Sequence, residues 1–194
     1  MRTIETFLSD GVFHIEFARP EAKNPMDNVF FREMREALAS AEENPEARAV
    51  LISGRGEGFC SGADLKALRQ DRGVLTADSV TWPGNLMALT MALLTKPIVA
   101  AVHGVAFGGG VTMLLYCDVV VAAEGTRFCT PFSKLGLCTE LGSSLLLPLA
   151  VGLDGHTFGH QVGVNHGLQG RRIVVGRVAA LQQRGGREVG FAAE

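Results

Sequence analysis

Apolar and polar side chains alternate in two short segments at the start of the chain, residues 3–8 and 12–17. Ser9, Asp10 and Gly11 separate the two segments. Alternation with a period of two is typical of a strand that is covered on one face, and Asp-Gly is a frequent hairpin turn. The pattern therefore predicts a β-hairpin.

A helical spacing follows in residues 25–43, where apolar side chains recur every three or four positions. These positions are Met26, Phe30, Met34, Leu38 and Ala41. Pro25 would suit the first turn of such a helix, because an N–H at that position has no partner within the helix. The apolar face is expected to pack on the sheet that the hairpin begins.

Strands and helices then alternate, which predicts an α/β domain with largely covered sheets. Short apolar runs indicate strands at residues 49–53, 98–102 and 119–123. Helices are expected at residues 64–70, 85–94, 111–116 and 143–150. Glycine-rich turns lie at residues 54–58 and 108–110, and residues 71–81 are expected to form a mobile surface connection.

The pattern changes near residue 152, where glycines begin to interrupt the chain and helical periodicity is lost. We expect a core domain at residues 1–152 and an atypical tail at residues 153–194, for which poor order is one expectation. His156, His160 and His166 have helical spacing in part, which can suit a metal. Each neighbouring glycine weakens a helix by about 1 kcal/mol, so no metal site is predicted.

Composition excludes several classes of function. Hydrophobic residues make up 47% and charged residues 20% of the chain, as in globular proteins. The net charge is −2 and the 18 Lys and Arg residues are scattered, which does not favour nucleic acid. The four cysteines have no CxxC spacing and lie in apolar stretches, which favours neither a disulfide nor zinc. No membrane span or secretory signal is apparent, and a cytoplasmic location is expected.

Several segments resemble, in order and spacing, the motifs of the enoyl-CoA hydratase/isomerase (crotonase) superfamily. They are Arg19-Pro20 with Lys23-Asn24, GFCSGADLK at residues 58–66, Lys96-Pro97 through Gly104, FGGG at residues 107–110, and Cys117-Asp118. The resemblance covers about residues 3–152 and implies a crotonase-like spiral of ββα units. The helices that usually close this fold are expected to be missing or atypical here, and the family's homotrimers or hexamers are expected if the C-terminus permits them.

The resemblance also implies a site for an acyl-CoA thioester, with no cofactor beyond the CoA that the substrate carries. The N–H groups of Ala63 and Gly109 would hold the thioester oxygen when it becomes negatively charged, as in an oxyanion hole. The expected binding residues are Lys23, Ser61, Gly62, Ala63, Asp64, Leu65, Gly108, Gly109, Pro131, Phe132 and Leu135.

The resemblance further narrows the reaction. Hydratases of the family use two glutamates, and the matching positions here hold Thr112 and Phe132. Glu140 instead stands where the branch that converts 3-enoyl-CoA to 2-enoyl-CoA places its one catalytic glutamate. The preceding Thr139 departs from the proline usual in that branch. The predicted function is this isomerisation, with fatty acid metabolism as the setting and Glu140 as the proton shuttle.

Alternatives remain open from the sequence. Glu140 has a purely structural interpretation, as a carboxylate at the N-terminus of the helix that follows. Leucines around it would raise its pKa and the helix terminus would lower it, without a decided net direction. The chain is also compatible with a hydratase-like or other crotonase-type enzyme, or with a non-catalytic truncated protein that binds acyl-CoA.

Overall fold

The computed structural model of the chain describes residues 3–64, 66, 81–157, 162–163 and 173–176. The predicted connection at residues 71–81 therefore lies outside the described residues, apart from Thr81. The same holds for most of the helix predicted at residues 64–70 and for most of the tail.

Within these residues, nine strands form two sheets. The strands are β1 Ile4–Ser9, β2 Val12–Phe17, β3 Ala49–Gly54, β4 Ile98–Val102, β5 Val105–Phe107, β6 Val119–Ala122, β7 Arg127–Cys129, β8 Val162–Gly163 and β9 Ile173–Gly176. The larger sheet has the order β1-β2-β3-β4-β6-β9, with parallel pairing from β2 through β6 and antiparallel pairing at both edges. The smaller sheet has the order β5-β7-β8.

Four α-helices and three short 3-10 turns accompany the sheets in the described part of the chain. The helices are α1 Asn28–Glu43, α2 Pro83–Leu93, α3 Gly109–Thr112 and α4 Ser143–Thr157. The 3-10 turns are Pro20–Ala22, Met113–Tyr116 and Ser133–Leu135.

A repeated strand–turn–strand unit organises the α/β fold. In two units, β4 with β5 and β6 with β7, the first strand enters the larger sheet and the second enters the smaller one. Consecutive units stack in parallel, because β4 pairs with β6 and β5 pairs with β7. An earlier unit, β3 followed by Cys60, joins the stack through the parallel bridge between Cys60 and Ala106. The units thus form the turns of a spiral, which confirms the predicted α/β spiral, whereas the missing or atypical C-terminal helices remain a prediction.

The predicted hairpin is confirmed, whereas the first helix begins later than predicted. Asp27 caps α1 by accepting a hydrogen bond from the Phe30 N–H at 2.8 Å, so Pro25 precedes the helix. Met26 is extended and forms a parallel bridge with Ala63. The helix still buries its predicted apolar face, and the Phe17 ring lies 5.0 Å from Phe30 and 5.1 Å from Phe59, between ring centroids.

Two further predictions need correction. The helix expected at residues 111–116 starts earlier, at Gly109, and its second half is a 3-10 turn. The cysteines do not all lie in apolar surroundings, since Cys60 and Cys117 are buried but Cys138 is exposed. The three-residue strands β5 and β7 were not predicted, because runs this short are defined by their pairing partners more than by their own pattern.

Parts of the tail contribute regular structure. Helix α4 continues through residue 152 to Thr157, and β9 pairs antiparallel with β6. The division at residue 152 remains a prediction. Of the helices in the described residues, none combines the length and the apolar character that a membrane span requires.

Candidate active site

The glycine run at residues 108–110 turns the chain from β5 into α3. Gly108 has φ +48°, and its N–H donates to the carbonyl of Cys129 at 2.8 Å. Its carbonyl accepts hydrogen bonds from Val111 and Thr112 at 2.9 and 3.0 Å. Gly109 is therefore the first residue of the helix, where an N–H has no partner within the helix itself. In the described part of the chain, no backbone acceptor pairs with the Gly109 N–H.

A short parallel ladder orients the second predicted N–H, that of Ala63. The Met26 N–H donates to the carbonyl of Gly62 at 2.8 Å, and the Met26 carbonyl accepts from the Asp64 N–H at 2.8 Å. In such a ladder the residue between the two bonded neighbours directs its own N–H away from the partner strand. The Ala63 N–H thus points away from Met26, and no backbone acceptor for it lies among the described residues.

Two glycines bring the segments of Ala63 and Gly109 close together. A Cβ at Gly62 would lie 2.5 Å from the carbonyl oxygen of Phe107, at the end of β5. A Cβ at Gly110 would lie 2.8 Å from the Cβ of Cys60. Both distances are well below van der Waals contact, so any side chain would push the two segments apart.

Glu140 lies at this junction. Its Oε1 atom is 3.2 Å from the position that a Cβ on Gly109 would occupy, so the carboxylate lies directly beside Gly109. The Thr112 hydroxyl is 3.4 Å from the same Oε1, a long hydrogen bond. Burial raises the pKa of Glu140, and the Thr112 hydrogen bond opposes this rise. The sequence left the direction of the Glu140 pKa shift open, and in the structure this pKa is raised.

The surroundings of Glu140 contain little compensating charge. No salt bridge to Glu140 is present within the described residues. Cys60 is fully buried, and burial raises the pKa of its thiol to about 12, so it remains neutral at physiological pH. A buried carboxyl with a raised pKa, beside N–H groups that can receive an anion, suits proton transfer.

The remaining predicted binding residues divide into two groups. The Lys23 carbonyl accepts from the Ser61 N–H at 2.8 Å, and the Asp64 carboxylate accepts from the Lys66 N–H at 2.8 Å, so these residues adjoin the Ala63 segment. Pro131, Phe132 and Leu135 form a separate turn in which Leu135 is 50% exposed. Leu65 lies outside the described residues.

Sequence reasoning missed three contributors to the site. Met26 places its sulfur 3.0 Å from the Cβ position of Gly109. In the sequence, Thr112 stood out only as a position where hydratases have a glutamate. The Tyr116 hydroxyl donates to the Leu141 carbonyl at 2.9 Å. The sequence could have indicated that Thr112 lies at the site, since residues 109 and 112 are one helical turn apart. Tyr116 has no such signal, because its partner is 25 positions away in the chain.

The described residues contain no group of three or more side chains that could hold a metal ion. The His156, His160 and His166 side chains are not among those that the structure describes.

Comparisons with known proteins identify the family of the chain. The sequence model of the family Enoyl-CoA hydratase/isomerase matches residues 8–162. The chain is 36% identical over 155 residues to the 1,2-epoxyphenylacetyl-CoA isomerase of Escherichia coli K12, covering 78% of this chain and 59% of the relative. It is 33% identical over 153 residues to the peroxisomal Delta(3,5)-Delta(2,4)-dienoyl-CoA isomerase of Arabidopsis thaliana, covering 73% and 55%.

Solved structures show the same relationship. The enoyl-CoA hydratase/isomerase of Pseudoalteromonas atlantica T6c superposes with a TM-score of 0.74 at 32% identity, covering 84% of this chain and 64% of that one. The chain thus spans less than two thirds of the length of these relatives. Because the family model matches most of the chain, the protein belongs to the enoyl-CoA hydratase/isomerase family of the crotonase superfamily.

Proposed function

We propose that this protein converts 3-enoyl-CoA to 2-enoyl-CoA, with Glu140 as the only acid/base. The observation that carries the proposal is the position of the Glu140 carboxylate, whose Oε1 lies 3.2 Å from the Cβ position of Gly109. A base at this place adjoins the carbon next to a thioester carbonyl that the Gly109 N–H binds. Membership of the family supports an acyl-CoA thioester as the substrate.

The reaction needs one base and one oxyanion site. Glu140 removes a proton from C2, and the electron pair of that C–H bond delocalises onto the thioester oxygen and forms a dienolate. The N–H groups of Ala63 and Gly109 stabilise this oxygen. The carboxylic acid then returns the proton at C4, and the double bond moves from C3–C4 to C2–C3. Atoms and charge balance without a cofactor other than the CoA of the substrate.

The raised pKa of Glu140 supports this role. A carboxylate that burial makes more basic is a better proton acceptor, and it is a competent donor once it is protonated. Hydration needs a second acid/base group, but the two positions of the hydratase glutamates hold Thr112 and Phe132. We therefore expect negligible hydration of crotonyl-CoA. Assembly into homotrimers or hexamers remains part of the proposal.

The test is a comparison of two substitutions in one assay that follows conjugated enoyl-CoA formation from a 3-enoyl-CoA. Glu140→Gln keeps the size of the side chain and removes the base, so kcat should fall by about 10² to 10⁴ while thioester binding is retained. Glu124→Gln is the matched control, because Glu124 is an exposed carboxylate on the turn between β6 and β7.

Three outcomes count against the proposal. If Glu140→Gln turns over as fast as the parent protein, Glu140 is not the base. Rapid hydration of crotonyl-CoA would favour a hydratase-like reaction. Binding of CoA thioesters without any turnover would favour the alternative of a truncated, non-catalytic acyl-CoA-binding protein.

A further inference from the structure

The turn that presents Glu140 has an unfavourable backbone conformation. The Glu140 carbonyl accepts a hydrogen bond from the Ser143 N–H at 2.9 Å, so residues 140–143 form a β-turn. Its central residues, Leu141 and Gly142, have φ +48° and +65°, as in a type I′ turn. Glycine adopts positive φ freely, whereas the Cβ of leucine makes it costly. Leucine does not favour this turn by itself, so the surroundings must hold it.

Two contacts hold Leu141 in place. Its side chain is packed in the core and only 5% exposed. Its carbonyl oxygen accepts a hydrogen bond from the Tyr116 hydroxyl at 2.9 Å. The same hydroxyl oxygen is 3.4 Å from the Cβ position of Gly142, so Tyr116 lies against both central residues of the turn.

Tyr116 belongs to a segment that also contacts the carboxylate of Glu140. Residues 109–116 form α3 and the 3-10 turn that continues it. Gly109 at the start of this segment lies beside the carboxylate, and the Thr112 hydroxyl is 3.4 Å from Oε1. Tyr116 at its end binds the backbone one residue after Glu140. One segment therefore contacts Glu140 at its carboxylate and, through Leu141, at its backbone.

We propose that Tyr116 is a positioning residue, whose hydrogen bond to the Leu141 carbonyl holds the unfavourable turn and so places the Glu140 carboxylate beside Gly109. The catalytic consequence rests on the proposed function, whereas the structural claim does not. Without the hydroxyl, the turn loses one of its two anchors and can relax towards negative φ at Leu141. The carboxylate would then move away from Gly109 and gain contact with water.

Few charged groups near Glu140 would alter a measurement of its pKa. Within the described residues, its pKa responds to burial and to Thr112. The charges of Arg19 and Glu140 both affect the pKa of the Cys60 thiol. This pKa is about 12, so the thiol stays neutral in the pH range where a carboxyl titrates. Arg19 is paired with Asp27 at 2.7 Å. A titration of Glu140 therefore reports mainly on the position of its own carboxylate.

The test removes the hydroxyl alone, with Tyr116→Phe. The titration of the Glu140 carboxyl carbon is followed by NMR and assigned by its loss in Glu140→Gln. Because the carboxylate becomes more hydrated, its pKa should move down from the raised value towards the ordinary one. In the isomerase assay, kcat should fall about 10-fold to 100-fold with little change in KM, as expected for a misplaced base.

Thr126→Val is the matched control. The buried Thr126 hydroxyl also donates to a backbone carbonyl, that of Ala123 at 2.6 Å, in the turn between β6 and β7. Its loss should lower thermal stability but leave the Glu140 titration and kcat unchanged. An unchanged Glu140 midpoint in Tyr116→Phe overturns the proposal, whatever the turnover.

A second measurement does not require that Tyr116→Phe folds. The chain contains a single tyrosine, so replacement of tyrosine by 3-fluorotyrosine places one fluorine probe at Tyr116. Its ¹⁹F signal should titrate with the midpoint of Glu140 and be flat in Glu140→Gln. A flat signal in the otherwise unchanged protein overturns the proposal. Since neither NMR readout needs turnover, failure of this inference is distinguishable from failure of the proposed isomerase function.

Discussion

Gly110→Ala tests whether the spacing between the two proposed oxyanion donors determines turnover. The new Cβ would lie 2.8 Å from the Cβ of Cys60 and 3.0 Å from both its carbonyl oxygen and its sulfur. Carbon atoms in contact are about 3.5 Å apart, so the segments of Ala63 and Gly109 must separate by about 0.7 Å.

The magnitude of the effect follows from the geometry of the donors. An oxyanion is held by donors at about 2.7–3.1 Å, a range narrower than the expected displacement. One of the two hydrogen bonds should therefore be lost, and kcat should fall by about 10² to 10³. The clash costs about 1–3 kcal/mol of folding free energy. The better helix propensity of alanine returns up to about 1 kcal/mol, so the fold should persist.

The assay combines 3-enoyl-CoA turnover with thermal unfolding. Melting should occur about 2–8 °C lower, which corresponds to a net loss of about 1–2 kcal/mol. The double variant Gly110→Ala with Cys60→Gly removes the Cβ and sulfur that the new methyl group meets, and it should recover much of the lost turnover. Cys60→Gly alone controls for the loss of the thiol. If Gly110→Ala keeps the parent kcat while its melting temperature falls, the spacing argument is refuted.

Two further predictions concern charge and packing. Thr112→Val removes the hydrogen bond that opposes the raised pKa of Glu140, so this pKa should rise further. Because Glu140 must be ionised to accept a proton, the acidic limb of the kcat–pH profile should move to higher pH, and a shift to lower pH would contradict the assignment. Asn24→Ala removes an amide whose Nδ2 lies within 3.1 Å of the Arg55, Gly58 and Phe59 carbonyls. Leaving such buried acceptors unpaired costs about 1–3 kcal/mol, which a lower urea midpoint should show and an unchanged midpoint would disprove.

The sequence predicted the elements that local pattern determines. Alternation specified the hairpin of β1 and β2, and apolar periodicity specified the buried face of α1. The start of α1 was predicted too early because Pro25 is acceptable in a first helical turn. In the structure, Asp27 caps the helix and Met26 pairs with Ala63. That pairing spans 37 positions, so no local signal reveals it.

The candidate site was predicted only in part, because local sequence does not reveal contacts between residues that are distant in the chain. Resemblance located Gly109, Ala63 and Glu140, and the structure places Glu140 beside Gly109. The positive φ of Leu141 could not be predicted, because leucine rarely adopts it and only Tyr116 and the core explain it. Likewise, the direction of the pKa shift of Glu140 depends on burial, which requires the three-dimensional packing.

The proposed oxyanion donors are main-chain atoms, whereas the proton-handling groups are side chains, and this division has an evolutionary consequence. A substitution at residue 112 or 140 changes the acid/base chemistry without removing the N–H of Ala63 or Gly109. A glutamate in place of Thr112, for example, would add a second carboxyl next to Glu140 and couple their titrations. The proposed anion site is thereby insulated from substitutions at residues 112 and 140, so one or two amino-acid changes at these positions would suffice to alter the reaction on the proposed thioester.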